Sequence, residues 1–314
     1  MDKRILIGFF AALMIFVYGC AQGDDLAKGP FVGGTNGLDF GFVDNEPPST
    51  VFADDEEFDI TISVENVGEF NIPERKVIAT LGGIDTRDLG ISSPNKVLDV
   101  SLNGKTKSDK EVFSGDKDEI LYESALYKTK NPLVADFDAR IRADVCYLYQ
   151  TRATTKVCLK KKASQREVTD FCQVNNDNVN VDNSGAPVQI RDVREKSSGT
   201  NEVQLNFIVE NVGSGKVYPP NTFTNECIRK DDKEDKLEVE VRSASGRHTV
   251  SCSQLGNKNK GEVRLSIDGL KQIRCRISTS SAPESAVEEP INIIVSYFYR
   301  NAISKSITIQ SPDF

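Results

Sequence analysis

The 314-residue chain has one histidine, no tryptophan and two methionines, Met1 and Met14. A Ser or Cys nucleophile of the triad type needs an imidazole or another base beside it. The lone His248 follows Ser245-Gly246-Arg247 and reads as an exposed turn residue. Zinc is disfavoured on similar grounds, because no cysteine pair has C-x-x-C spacing and His248 has no second histidine. No G-x-S-x-G, H-E-x-x-H or phosphate-binding glycine loop occurs, so no cofactor and no catalytic residue is expected. Paired carboxylates hydrolyse glycosides without histidine, which keeps an exported hydrolase as an alternative. The missing tryptophan removes a common sugar-stacking platform, and the acids concentrate in apparent loops. Basic residues are few: 39 Lys and Arg stand against 47 Asp and Glu, a net charge of −8. With no basic stripe to neutralise phosphates, nucleic acid is not an expected partner. The run Asp54-Asp55-Glu56-Glu57 lacks calcium-loop spacing and reads as a charged loop.

What the chain does have is a phrase that occurs twice. Val64-Glu65-Asn66-Val67-Gly68 returns as Val209-Glu210-Asn211-Val212-Gly213, offset by 145 positions. Each copy closes an alternating apolar run: Phe58, Ile60, Ile62 and Val64, then Val203, Leu205, Phe207 and Val209. Period-two alternation predicts half-buried strands, ended by a glycine free to adopt a left-handed turn. Tyr147-Leu148-Tyr149-Gln150 likewise corresponds to Tyr297-Phe298-Tyr299-Arg300. These tyrosines are in phase with Val145 and Val295, which predicts core-facing rings with hydroxyls reaching polar groups. Further strands are expected at Leu38–Val43, Lys76–Leu81, Leu98–Leu102, Ile120–Tyr127, Val188–Val193, Leu237–Val241 and Val263–Ile267. The last is expected to return through Asp268-Gly269 as Ile273–Ile277.

Six cysteines besides Cys20, namely Cys146, Cys158, Cys172, Cys227, Cys252 and Cys275, read as three disulfides in an exported protein. The stretch 137–160 is expected to form a hairpin turning at Gln150–Thr155, with Val145 opposite Leu159. That register sets Cys146 opposite Cys158 and predicts their bridge. A second hairpin is expected from Ile291–Tyr299 and Ser304–Gln310. Cys275 points inward where Cys252 can face it, which leaves Cys172 with Cys227 by elimination, one of fifteen connectivities.

The N-terminus has Lys3 and Arg4, then an apolar run Ile5–Tyr18 too short to span a bilayer comfortably, then Gly19-Cys20. Val17-Tyr18-Gly19-Cys20 resembles a lipoprotein lipobox, in which Cys20 would be lipidated. A signal cut after Ala21 and an uncleaved anchor are the alternatives. The division expected is a leader (1–20), a flexible tether (21–36), a first domain (37–163), a linker (164–186) that includes the Asn-rich 175–183 tract, and a second domain (187–314), with the basic Lys160–Arg166 connector across the end of the first domain and the start of the linker. The two strand-ending Glu-Asn-Val-Gly phrases and the Cys-Tyr-x-Tyr stretch resemble tandem immunoglobulin-like, cell-adhesion-related domains of uncharacterised archaeal or bacterial surface lipoproteins. The resemblance implies an all-β fold of two immunoglobulin-like β-sandwiches and a non-enzymatic role in adhesion or envelope protein–protein interaction. Its partners would be the membrane, through the anchor, and other surface proteins. A spacer subunit of a larger envelope complex is an alternative.

Overall fold

From Phe137 to Leu159 the odd positions are apolar except Thr151 and Thr155, the even ones are polar except Cys146, Leu148 and Cys158, and Gln150-Thr151-Arg152-Ala153-Thr154-Thr155 contains no Gly, Pro, Asn or Asp to make a tight turn. In the structure, a computed structural model that describes residues 29–109, 111–129, 133, 135–164 and 171–311, this stretch is one uninterrupted strand. In chain order the strands are β1 (Leu38–Phe42), β2 (Thr50–Phe52), β3 (Phe58–Asn66), β4 (Val77–Gly82), β5 (Asn95–Val97), β6 (Thr106–Lys107), β7 (Val112–Phe113), β8 (Lys117–Ala125) and β9 (Phe137–Leu159). They continue as β10 (Val181–Asn183), β11 (Val188–Ser197), β12 (Glu202–Asn211), β13 (Lys216–Tyr218), β14 (Lys236–Ser243), β15 (Val250–Cys252), β16 (Lys260–Arg264), β17 (Leu270–Ser278) and β18 (Val287–Gln310). Among the described residues the fold is all-β, with a single 3-10 turn at Ser253–Leu255. Among the described residues no helix is long and apolar enough to cross a membrane. Residues 1–28, including Cys20 and the first half of the expected tether, lie outside the described residues.

The long strands β9 and β18 pair with each other, antiparallel, from Phe137 opposite Ile309 to Leu159 opposite Val287. At about 3.3 Å per residue each reaches up to roughly 75 Å, several times the usual strand. Both expected hairpins are therefore corrected. Strand β9 does not turn at 150–155, and β18 does not turn between Tyr299 and Ser304. Each copy of the repeat takes its long partner from the other copy. Leu148 lies directly opposite Phe298, its own counterpart in the repeat, and Tyr147 and Tyr149 lie opposite Tyr299 and Tyr297. The two halves are thus related by an approximate twofold axis between Leu148 and Phe298.

One nine-stranded sheet results, in the order β16-β14-β18-β9-β4-β5, with β10, β13 and β2 added along the long pair. Two smaller sheets, β1-β3-β8 and β11-β12-β17-β15, complete the layers. Odd-numbered side chains of β9 are buried in both halves: Ala139, Ile141, Ala143, Val145 and Tyr147 in one, Thr151, Ala153, Thr155, Val157 and Leu159 in the other. Successive side chains on a strand alternate in direction, so both small sheets cover the same face of the long one. A single apolar cluster runs through both halves, from Ile60 and Ile62 to Phe207 and Ile273. The boundaries expected at 163 and 187 therefore do not separate two independent sheets, because Ile303–Ile309 of β18 pair with Phe137–Ala143 of β9.

Two expected strands are displaced: none forms over Leu98–Leu102, where the strand is the preceding Asn95–Val97 (β5), and the one expected over Val263–Ile267 is Lys260–Arg264 (β16); the others are present with local differences. β8 turns Ile120 and Tyr122 inward in alternation, and a local irregularity at Ser124 (φ 53°) brings Ala125 inward as well. Ile267 is almost fully exposed, and Asp268-Gly269 joins β16 to a strand of a different sheet, so no hairpin forms there. Val100 is also exposed, while Leu98 and Leu102 are buried. The Asn-rich linker is not irregular throughout: Val181–Asn183 pair with β9, and Ser184 and Ala186 are buried. In the basic connector Lys160 is buried and Lys161 pairs with Glu284, while residues 165–170 lie outside the described residues.

Candidate functional site

The twofold centre explains the repeated phrase. The Asn66 amide donates to the carbonyls of Phe70 and Leu102 at 2.8 and 2.9 Å, and its oxygen accepts from the Tyr149 hydroxyl at 3.1 Å. Asn211 repeats the arrangement, donating to Gly215 O at 2.8 Å and accepting from Tyr299 at 3.3 Å. Each asparagine closes the loop after its strand and docks it onto the long sheet. Tyr299 also accepts from Gly215 N at 2.7 Å, and Tyr297 bonds Thr151 Oγ1 at 3.0 Å. Burial pushes all four phenols up, Tyr299 to about 12, which keeps them protonated as donors. The core-facing placement expected of these tyrosines is what the structure shows. The glycines have a different reason from the one expected. Neither Gly68 nor Gly213 is left-handed. A Cβ on Gly68 would sit 2.0 Å from the Tyr149 hydroxyl, and one on Gly213 would sit 2.2 Å from that of Tyr299.

Sequence reasoning missed Glu69, the residue after the first phrase. Its carboxylate accepts from Val32 N, Gly33 N and Gly185 N at 2.8, 2.9 and 2.6 Å. It ties the N-terminal segment and the linker to the first half, so residues 29–36 are docked where a free tether was expected. Only its position beside the repeated phrase, where the second copy has Ser214, marks it in sequence.

All six cysteines among the described residues form disulfides, which places the chain in an oxidising, extracellular or periplasmic environment. Cys252–Cys275 pair as expected, directly opposite on β15 and β17. The other two pairings are corrected to Cys146–Cys227 and Cys158–Cys172. The physical reason is the absent hairpin: on one continuous strand Cys146 and Cys158 are about 40 Å apart. Cys146 points away from the main core and onto a second apolar cluster of Ile78, Tyr218, Phe223, Cys227 and Phe298. The segment between β13 and β14 is thereby fastened over the back of the long sheet at the twofold centre. Cys227 N also donates to Thr80 Oγ1 of β4 at 2.8 Å.

Beside the second bridge, Cys158 N donates to Glu195 Oε2 at 2.9 Å. Burial, aided by Glu288, pushes the Glu195 carboxyl up to about 7, although the Cys158 hydrogen bond opposes this. The folded chain therefore holds this proton more tightly than the unfolded chain. Stability from it is full below about 4.5 and falls as pH rises towards 7, by on the order of 3 kcal/mol. Glu195→Gln is expected to flatten that slope, gaining stability over the parent at pH 8 and little at pH 4. Urea denaturation at the two pH values checks it, and parallel profiles for parent and variant would refute it.

A polar groove crosses the back of the long sheet in the second half. One part encloses about 540 Å³ and includes Arg152, Thr154, Glu240, Arg242 and Asn292. The adjoining part, about 420 Å³, includes Phe70, Leu148, Pro219 and Pro220. The two share Gln150, Glu238, Lys260 and Ser296. Phe31 of the docked N-terminal segment borders the first part. Even-numbered positions of β9, β14 and β18 supply this lining, which is why it is polar behind an apolar core. Lys260 Nζ meets Glu238 at 2.8 Å and Glu240 at 4.0 Å, and Arg242 reaches Glu240 at 3.6 Å. Gln150 donates to Ser296 at 3.1 Å. The lining is charge-balanced and rich in donors and acceptors, suited to a polar ligand held by several hydrogen bonds.

His248 lies near Glu289, Ser243 and Ser245, but not in a nucleophilic arrangement. Its Nδ1 contacts Ser278 O at 3.1 Å, while Ser243 donates directly to Glu289. Burial tends to raise the Glu289 carboxyl, but hydrogen bonds from Ser243 and Ser245 and the nearby His248 bring it below its ordinary value. In the acidic run, Asp54 accepts from Thr129 N at 3.0 Å and from its hydroxyl, the pattern of a turn anchor. No protein-family model matches the chain, and comparison with curated proteins returns no match.

Proposed function

We propose that the chain is an exported, non-enzymatic cell-surface protein, held by lipid at Cys20, that acts in adhesion or in binding other envelope proteins. In this reading each half is an immunoglobulin-like β-sandwich, the two joined through their shared long strands. The observation that carries the proposal is the disulfide-fastened, two-strand spine, which gives a stiff body with long exposed sheet faces and a polar groove. Such a body suits presentation of binding surfaces away from a membrane. The same stiffness favours the second reading, a spacer subunit that sets a distance within an envelope complex.

Intact mass of the protein extracted from membranes, with and without reduction, tests the anchor. A chain beginning at a lipid-bearing Cys20 is expected, gaining about six hydrogens on reduction. An unlipidated chain beginning at Ala21, Gln22 or Met1 would refute it. Crosslinking on intact cells then separates a spacer with fixed neighbours from an adhesin without them.

A further inference from the structure

The outward faces of the two small sheets carry opposite charge. On β1, β3 and β8 the outward positions include Asp39, Asp59, Glu65, Glu119 and Glu123, with Lys117 the cation among them. The equivalent face of the second half carries Arg191, Arg194 and Lys196 on β11 and Arg274 and Arg276 on β17. In a chain of net charge −8 this is a local reversal.

The cations are ordered by the sheet. Strand β12 lies between β11 and β17, with Arg194 and Arg274 on either side of Asn206, and Lys196 and Arg276 on either side of Gln204. Arg191 and Gln272 flank Ile208 in the same way. Two cationic rows thus run about 10 Å apart, with cations about 7 Å apart along each strand and a line of amides between them. Gln204 donates to Asn206 Oδ1 at 3.1 Å, which aligns those amides along the strand. Among the described residues carboxylates appear only at the margins of this face. Glu210 pairs with Arg191 at 3.0 Å, Glu202 lies 3.9 Å from Arg276, and Asp192 occupies the bulge in β11. Among the described residues no carboxylate lies within 4.0 Å of Arg194, Lys196 or Arg274.

We infer that this face binds a linear acidic polysaccharide, its chain running along β12 between the two cationic rows. Guanidinium forks suit carboxylate and sulfate groups, and the central amides suit sugar hydroxyls. A dry protein interface needs an apolar centre with aromatic anchors, and this face offers only the half-buried Ile208. The inference names a ligand for the binding role proposed above, but it is tested on the purified chain, so its failure leaves the anchor and its mass test standing.

The probes are heparin, polygalacturonate and neutral dextran, with anionic phospholipid vesicles and the protein alone as competing targets. Retention on heparin and polygalacturonate, but not dextran, is expected at about 50 mM salt, weakening at least tenfold by about 300 mM. The variant Arg194→Gln/Lys196→Gln/Arg274→Gln is expected to lose at least tenfold in affinity with its circular dichroism and disulfide map unchanged. Glu119→Gln/Glu123→Gln, on the opposite-charge face, should bind no more weakly than the parent. Loss of fold in the triple variant is met by testing Arg194→Gln and Arg274→Gln singly, each expected to weaken binding severalfold. Absence of binding by the parent at low salt, or equal binding by folded variants, overturns the inference. Preference for vesicles over both polymers assigns the face to a membrane instead. Salt-sensitive self-association abolished by the triple variant, without polymer binding, assigns it to the acidic face of a second copy.

Discussion

Gly68→Ala is expected to destabilise the fold by roughly 3 kcal/mol or more, or to prevent folding. The added Cβ would lie 2.0 Å from the Tyr149 hydroxyl, 2.4 Å from Gly185 O and 2.8 Å from Asn36 O. Two of these are backbone atoms, held by the contacts of Glu69 with the segments around residues 33 and 185, and they have nowhere to retreat. Gly213→Ala meets a softer environment. Its Cβ would lie 2.2 Å from the Tyr299 hydroxyl and 3.1 Å from side-chain atoms of Pro187 and Tyr299. The two glycines hold the same place in the repeat and should nevertheless respond differently to a second change. Tyr299→Phe removes the clashing hydroxyl, at about 1 kcal/mol for its lost hydrogen bonds, and should partly rescue Gly213→Ala. Tyr149→Phe should not rescue Gly68→Ala, because the carbonyls remain. Denaturant unfolding of the four single and two double variants gives the two coupling energies. Equal rescue at both sites would contradict this account.

The bridge between Cys146 and Cys227 should be the most stabilising of the three. It spans 81 residues, against 14 for Cys158–Cys172 and 23 for Cys252–Cys275. In the chain-entropy account these correspond to about 4.5, 3 and 3.4 kcal/mol. The bridge also joins the back of β9 to a segment that comes from the other half of the chain. Cys146→Ser/Cys227→Ser is therefore expected to lose about 4 kcal/mol and to expose Phe223 and Phe298 from the apolar cluster they share. Equilibrium unfolding ranks the three double variants. A larger loss for Cys158→Ser/Cys172→Ser would reverse the order. A non-reducing peptide map linking Cys146 to Cys158 would restore the hairpin that the long strands exclude.

That hairpin shows where the sequence stops being decisive. In β9 the alternation from Phe137 to Leu159 is compatible with two arrangements that bury the same side chains. One is a hairpin with Val145 opposite Leu159, and the other is a single strand in which every odd position faces the core. Periodicity cannot choose between them, because reversing direction about a six-residue turn preserves which residues are apolar. The composition of that turn was the discriminating signal, since Gln150–Thr155 lacks any residue suited to a tight reversal. The polar groove was less legible still. Gln150, Glu238, Lys260 and Ser296 come from four strands, and their convergence depends on pairings up to 146 positions apart. Glu195 reads as one more charged position in an alternating strand, and only the bulge between Arg191 and Arg194 turns it inward.

By itself the sequence determined the all-β class, the positions of most strands, the inward tyrosines, the internal repeat and the oxidised state of the cysteines. Each of these follows from local alternation, from composition or from identity between two stretches. Only the tertiary structure decided that the two repeats interlock, which cysteines meet, and why glycine closes each repeated phrase. Those outcomes depend on which strand pairs with which and on what stands opposite a given backbone atom. A strand's hydrogen-bonding edges are nearly the same for any partner. The choice of partner therefore lies in the summed packing of β9 against β18 along their whole length, a quantity that no local stretch of the chain contains.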